Sequence, residues 1–273
     1  MLSTFVIALR EGLEASLIVG ILIAYIVKTQ RRQLLAPLWA GVSVAILASF
    51  ALGGFLSFTS AELTPKGEAF FAGTTSLLAV GFVTWMVFWM RSASRGLRDE
   101  LHGKMEKALL AGPLALATTA FFAVAREGLE TALFVYANFK TVAATPTSSI
   151  GLVLGFAVAI TLGALVYNRS VKLNLSTFFT YTSVALIIVA AGVLSYSVHE
   201  FQELAWLPGA DAFAWDVTPW MSQNSLLSTI LGGTIGFDTT TSWFQLGIWA
   251  LYLSIALMTY LRPRRVPLST THE

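Results

Sequence analysis

Two identical pentapeptides, Arg10-Glu11-Gly12-Leu13-Glu14 and Arg126-Glu127-Gly128-Leu129-Glu130, lie inside otherwise apolar runs. Carboxylates at i, i+3 with an arginine just before the first can hold a hard cation or lock helices by ion pairs, and both uses require them on one face. At about 100° per residue, with Arg10 as origin, Glu14 falls at about 40° and Glu11 at about 100°, so the three charges share one arc of a helix. Gly12 falls at about 200°, outside that arc, where a missing side chain lets a neighbouring helix come close.

Four carboxylates converging from two antiparallel helices would make an oxygen-rich cage. Such a cage suits ferric iron, Mn²⁺, Mg²⁺ or Ca²⁺ and disfavours copper(I). With the arginines included and everything ionised, the two motifs sum to −2, so a trivalent ion would bring the site to +1 and a divalent ion to 0. If Arg10–Glu14 and Arg126–Glu130, both i, i+4, served only as structural ion pairs, each motif would still carry a surplus carboxylate, Glu11 or Glu127. That surplus favours a metal site.

The elements that position these groups are membrane helices. Hydrophobic residues make up 56% of the 273, charged residues 12%, and the mean hydropathy is +0.72, which excludes a soluble domain and predicts an all-α, multi-pass membrane protein. There is no cysteine, so disulfides, thiolate metal sites and redox thiols are excluded together. A charge at the centre of a membrane helix costs at least about 2.5 kcal/mol, so charges placed there need a function or a partner.

Apolar runs of about 20 residues or more occur at 2–27, 34–58, 69–90, 109–137, 149–168, 175–198 and 243–261. They predict seven spans in a single permease domain over 1–273. Only the first and fourth spans contain charges. The first has no basic leader and carries Arg10, Glu11 and Glu14 in its middle, so it reads as a retained helix and not as a cleaved signal. The loops 28–33, 91–108 and 169–174 and the tail from Arg262 hold 13 of the 17 basic residues. That bias places the N-terminus outside and the C-terminus in the cytoplasm, in the inner (plasma) membrane.

Phe70-Phe71 opens the third span as Phe178-Phe179 opens the sixth, an offset of 108 beside the motif offset of 116. Spans one to three (repeat one, about 1–95) therefore pair with spans four to six (repeat two, about 109–200). An odd number of spans per repeat inverts the second copy, which puts a substrate site near the midplane between the repeats. An outer loop, 199–242, and the span 243–261 complete the chain. His199, Glu200 and Glu203 stand at the outer mouth of the sixth span, where an incoming ion first leaves bulk water. Asp99, Glu100, His102 and Glu106 read as a solvated cytoplasmic loop, Trp85, Trp89 and Trp243 as interface anchors, and Gly151 and Gly155 as helix packing.

With the doubled pentapeptide, the seven spans and His199-Glu200-Phe201-Gln202-Glu203 ahead of Leu207-Pro208, the sequence resembles the oxidase-dependent iron transporter family. This family comprises the high-affinity ferric permeases of fungi and the bacterial EfeU-type permeases. The resemblance covers nearly the whole chain. It implies inward transport of iron as Fe³⁺, after oxidation by a separate extracytoplasmic ferroxidase, haem peroxidase or iron-binding protein. It also implies that the chain is not an enzyme and holds no permanent cofactor, iron being the transported ion. By the same resemblance Glu11, Glu14, Glu127 and Glu130 are the metal ligands and Arg10 and Arg126 their companions. The alternatives are a permease for Mn²⁺ or Pb²⁺ and a membrane-embedded metal-dependent redox enzyme. The second would need Glu-x-x-His pairs on bundle helices, which the sequence lacks.

Overall fold

The computed structural model describes residues 2–61, 63–93, 112–141, 146–168, 174–222 and 225–262. Its helices are α1 (Leu2–Lys28), α2 (Leu35–Ala61), α3 (Pro65–Ala93), α4 (Pro113–Thr141), α5 (Pro146–Tyr167), α6 (Leu175–Glu203), the short α7 (Leu226–Ile235) and α8 (Trp243–Leu261). Proline occupies the first position of α3, α4 and α5, where its missing N–H has no intrahelical partner to lose. Asn174 caps α6 by accepting from the Thr177 N–H, and Ser242 and Gln245 form a capping box at α8.

α1 to α6 and α8 contain 19 to 29 residues each, and five of them are apolar enough as well as long enough to cross a bilayer. The remaining two, α1 and α4, hold the pentapeptides. The protein is an all-α, multi-pass integral membrane protein.

α1 and α4 form the centre. α1 packs on α5 and α4, α2 on α4, α3 on α6, and α6 on α8. One apolar cluster joins Ile7, Val83, Met86, Phe134, Leu186 and Ile187; a second joins Ile18, Leu22, Ile26, Leu38, Leu116 and Ala120. The outward faces are also apolar: Leu47, Phe50 and Phe58 on α2, Val153 and Ile160 on α5, and Leu251 and Met258 on α8 are exposed. In a bilayer these faces meet lipid, so helix association rests on close packing and not on burial from water.

The structure corrects the expected loop 199–242. α6 continues to Glu203, so His199, Glu200 and Glu203 lie on its last turn and a half. The polar residues there end the apolar run without ending the helix. Beyond it, β1 (Phe213–Asp216) pairs antiparallel with β2 (Thr240–Ser242), with Phe213 opposite Ser242. Between the strands α7 folds back along α6: Gly236, in left-handed conformation at its C-cap, packs on the backbone of Gly192. Gly192 precedes Glu203 by eleven residues, about 16 Å along the axis. The segment thus turns back along α6, with the Trp249 indole N–H donating to the Ile235 carbonyl. Asp99, Glu100, His102 and Glu106 lie outside the described residues.

Candidate metal centre

The Ser3 hydroxyl donates to Asn138 Oδ1 at 2.9 Å, joining the start of α1 to the last turns of α4. The two motif helices therefore run antiparallel, with Glu11 and Glu14 facing Glu127 and Glu130. All four glutamates are buried, at 1, 7, 5 and 4% exposure. Glu11, Glu14 and Glu127 each bring a carboxylate oxygen to within 4.8 Å of the others, and they are the one such acidic group among the described residues. Glu130 stands beside them, held by Arg126.

Glu11 Oε2, Glu127 Oε2 and Glu130 Oε2 are buried with no hydrogen-bond partner, and Glu14 Oε1 has only an ion-pair contact with Arg10. Buried polar atoms are nearly always partnered, so three orphaned oxygens in one cluster require an explanation. At an effective dielectric of about 20, two carboxylates this close repel by about 3 kcal/mol. A proton or a cation has to offset that repulsion. An all-oxygen, anionic donor set is the chemistry that hard metal ions select.

The arginines are used unequally. Arg10 is fully buried; its Nη1 lies 2.8 Å from Glu11 Oε1 and 2.8 Å from Met86 Sδ, and its Nη2 lies 3.1 Å from Glu14 Oε1. The expectation that Glu11 is a surplus carboxylate without an arginine is therefore corrected: Arg10 curls between both acids of its motif. Arg126 follows the i, i+4 expectation, with Nε donating to Glu130 Oε1 at 3.1 Å. Its guanidinium lies 4.2 Å from the centre of the Trp89 ring and 5.9 Å from that of Trp85. Trp89, expected as an interface anchor, is thus a platform for a motif arginine. Glu127 is left with no basic partner in direct contact among the described residues.

The motif glycines make the helix contacts that their position off the charged arc predicts. A Cβ on Gly12 would lie 2.8 Å from Ala159 Cβ of α5, and one on Gly128 would meet Ser49 of α2, with Ser49 Cβ at 2.9 Å. A Cβ on Gly155 would lie 2.7 Å from Ala8 Cβ, as expected of a packing glycine.

At the far end of α6 the three outer residues separate. His199 Nε2 lies 3.2 Å from Glu203 Oε1, and the Glu203 side chain is 59% exposed. Glu200 is turned inward, 9% exposed, and accepts from the Tyr196 hydroxyl. His199 also borders a polar cavity of about 20 Å³ with Ser195, Tyr196, Asp238 and Gln245. Met86, Trp89 and Tyr196 were not singled out as site residues from the sequence. Nothing in the local spacing of Met86 and Trp89 ties them to a motif 37 or more residues away, whereas Tyr196 stands four residues before its partner Glu200, a helical spacing that could have found it.

Residues 1–261 match the iron permease FTR1 family. The chain belongs to that family. It is 37% identical over 269 residues to the ferrous iron permease EfeU of Escherichia coli O6:H1 (strain CFT073), covering 97% of each chain. Over 271 residues it is 38% identical to the ferrous iron permease EfeU of Yersinia pseudotuberculosis serotype I (strain IP32953), covering 97% of this chain and 95% of that one. No solved structure matches. As a member of a permease family the chain is a transporter and not an enzyme.

Proposed function

We propose that the protein carries iron inward across the membrane through the four-glutamate cluster of α1 and α4, with Arg10 and Arg126 as charge companions. The observation that carries this reading is the burial of all four motif glutamates in one cluster, three of them with a carboxylate oxygen that has no partner. Membership of the iron permease family supplies the ion.

The reading includes seven spans forming one domain, two inverted repeats, an outer N-terminus and a cytoplasmic C-terminus. The helix contacts support the repeat: exchanging the first three helices for the next three turns the α1–α5 interface into α4–α2 and leaves α1–α4 and α3–α6 unchanged. The two motif glycines obey the same exchange, Gly12 meeting α5 and Gly128 meeting α2. Glu200, at the outer end of α6, receives the ion first, with His199 and Glu203 at its rim.

We propose Fe³⁺, delivered after oxidation by a separate extracytoplasmic partner, because a wholly oxygen, anionic cage is the donor set of a small, hard, highly charged ion. A second reading, Fe²⁺, is favoured by the names of the relatives, ferrous iron permeases, and by the charge balance, since a divalent ion neutralises the cluster. Uptake by proteoliposomes supplied with iron held ferric or held ferrous separates the two. Uptake of Mn²⁺ or Pb²⁺ with no uptake of either iron species would overturn the assignment of the ion.

A further inference from the structure

We propose that Trp89 is a positioning residue for ion binding: its ring holds the Arg126 guanidinium at the edge of the cluster, bonded to Glu130 through Nε alone, so that its remaining donors do not occupy the metal's place. This inference rests on the metal-cluster reading above.

In antiparallel helices joined at Ser3 and Asn138, residues whose numbers sum to roughly 141 lie at the same level. Arg10 then stands level with Thr131 and Arg126 level with Ala15, so the arginines cap opposite ends of the cluster. The two levels are about five residues of α1 apart, or about 7 to 8 Å. α3 supports both caps in the same order and one turn apart, Met86 at Arg10 and Trp89 at Arg126.

The two ends differ in how the guanidinium is held. At the Arg10 end it is 0% exposed and engaged by two carboxylates and a sulfur. At the Arg126 end it is 35% exposed, gives only Nε to Glu130, and rests on the indole. Trp is the strongest aromatic partner for a cation. Without that ring, the nearest unsatisfied anionic atoms on the same helix are Glu127 Oε2 and Glu130 Oε2. Arg126 has the donors to bridge both in a fork, and a planar guanidinium matches carboxylates better than it matches open space.

The test is binding of iron to the purified protein, added anaerobically as Fe²⁺ and in parallel as ferric citrate, read both as a saturation curve and as the iron-dependent shift in unfolding temperature. Trp89→Leu should raise the half-saturating concentration on the order of 2- to 30-fold, the range spanned by a cation–π contact between exposed and desolvated settings. Trp89→Phe should fall between Leu and wild type, and Trp85→Leu, at the more distant ring, should stay near wild type. The decisive comparison is made without the cation: in an Arg126→Gln background, adding Trp89→Leu should change nothing. Where Arg126→Gln does not accumulate, Arg126→Met serves the same comparison. An equal effect of Trp89→Leu in both backgrounds would make Trp89 a packing residue and overturn the inference. So would wild-type affinity in Trp89→Leu alone. Absence of binding of both Fe²⁺ and Fe³⁺ by wild-type protein would instead overturn the metal-cluster reading, and the inference with it.

Discussion

Ser3 and Asn138, 135 residues apart, are joined by a 2.9 Å hydrogen bond that fixes α1 antiparallel to α4. Identical pentapeptides on antiparallel helices present their glutamates towards each other and their arginines towards opposite ends. If both helices span the bilayer, one motif enters from each side. Reporters fused after Thr29 and at the C-terminus should both read cytoplasmic, and one placed in 199–242 should read external. The same location for all three would rule out the inverted arrangement.

The motif glycines give a packing prediction. Gly12→Ala places a methyl 2.8 Å from Ala159 Cβ and 2.9 Å from the Phe156 ring, and Gly128→Ala drives one into Ser49. Each should lower stability by about 1–3 kcal/mol, the usual cost of overpacking. Thermal unfolding in detergent measures it. Ser49→Gly should restore Gly128→Ala but not Gly12→Ala, because the two glycines meet different helices. Rescue of both by Ser49→Gly would contradict the contacts described.

Much of the centre was legible in the sequence because its charges are costly. Six ionisable residues in two apolar runs had to share a face, and the burial of Arg10, Glu11, Glu14, Glu127 and Glu130 follows from that. The choice made by Arg10 was not legible. Neighbouring positions on a helix do not ordinarily face each other, so i, i+4 pairing with Glu14 was the expectation, yet a buried arginine with several donors reaches both acids. The folded-back α7 was missed for another reason: ten residues containing two adjacent glycines are too short to read as a span, and the Gly192–Gly236 contact and the Trp249–Ile235 hydrogen bond show where they go. Trp89 lacked any signal, since its partner comes from a different helix.

The outer residues divide into two predictions with opposite expectations. Glu200 is nearly buried and bonded by Tyr196, whereas Glu203 is exposed and paired with His199. Glu200→Gln should raise the iron concentration giving half-maximal uptake more than it lowers the maximal rate, because it acts before the central cluster. Glu203→Gln should change neither by more than about fivefold, as expected for a surface pair worth less than about 1 kcal/mol. A larger effect of Glu203→Gln than of Glu200→Gln would reverse the assignment of the outer site.

The sharpest test falls on Glu127, the motif glutamate with no arginine in contact among the described residues. If the cluster were only structural, its value would lie in the ion pairs. Glu11→Gln or Glu14→Gln would then weaken the hold on a fully buried Arg10, where breaking a buried pair costs about 3–5 kcal/mol. Glu127→Gln breaks no such pair. It removes one of three mutually repelling carboxylates and keeps the side chain's size, so the unfolding temperature should stay unchanged or rise. Iron uptake into proteoliposomes should nevertheless fall by at least about 100-fold, beyond the 10- to 100-fold typical when a group behind a metal ligand is changed. Glu127→Gln should also abolish the iron-dependent rise in unfolding temperature expected of wild-type protein. Normal uptake by Glu127→Gln at normal abundance would mean that the ion does not pass through this cluster, and the orphaned oxygens would need another occupant.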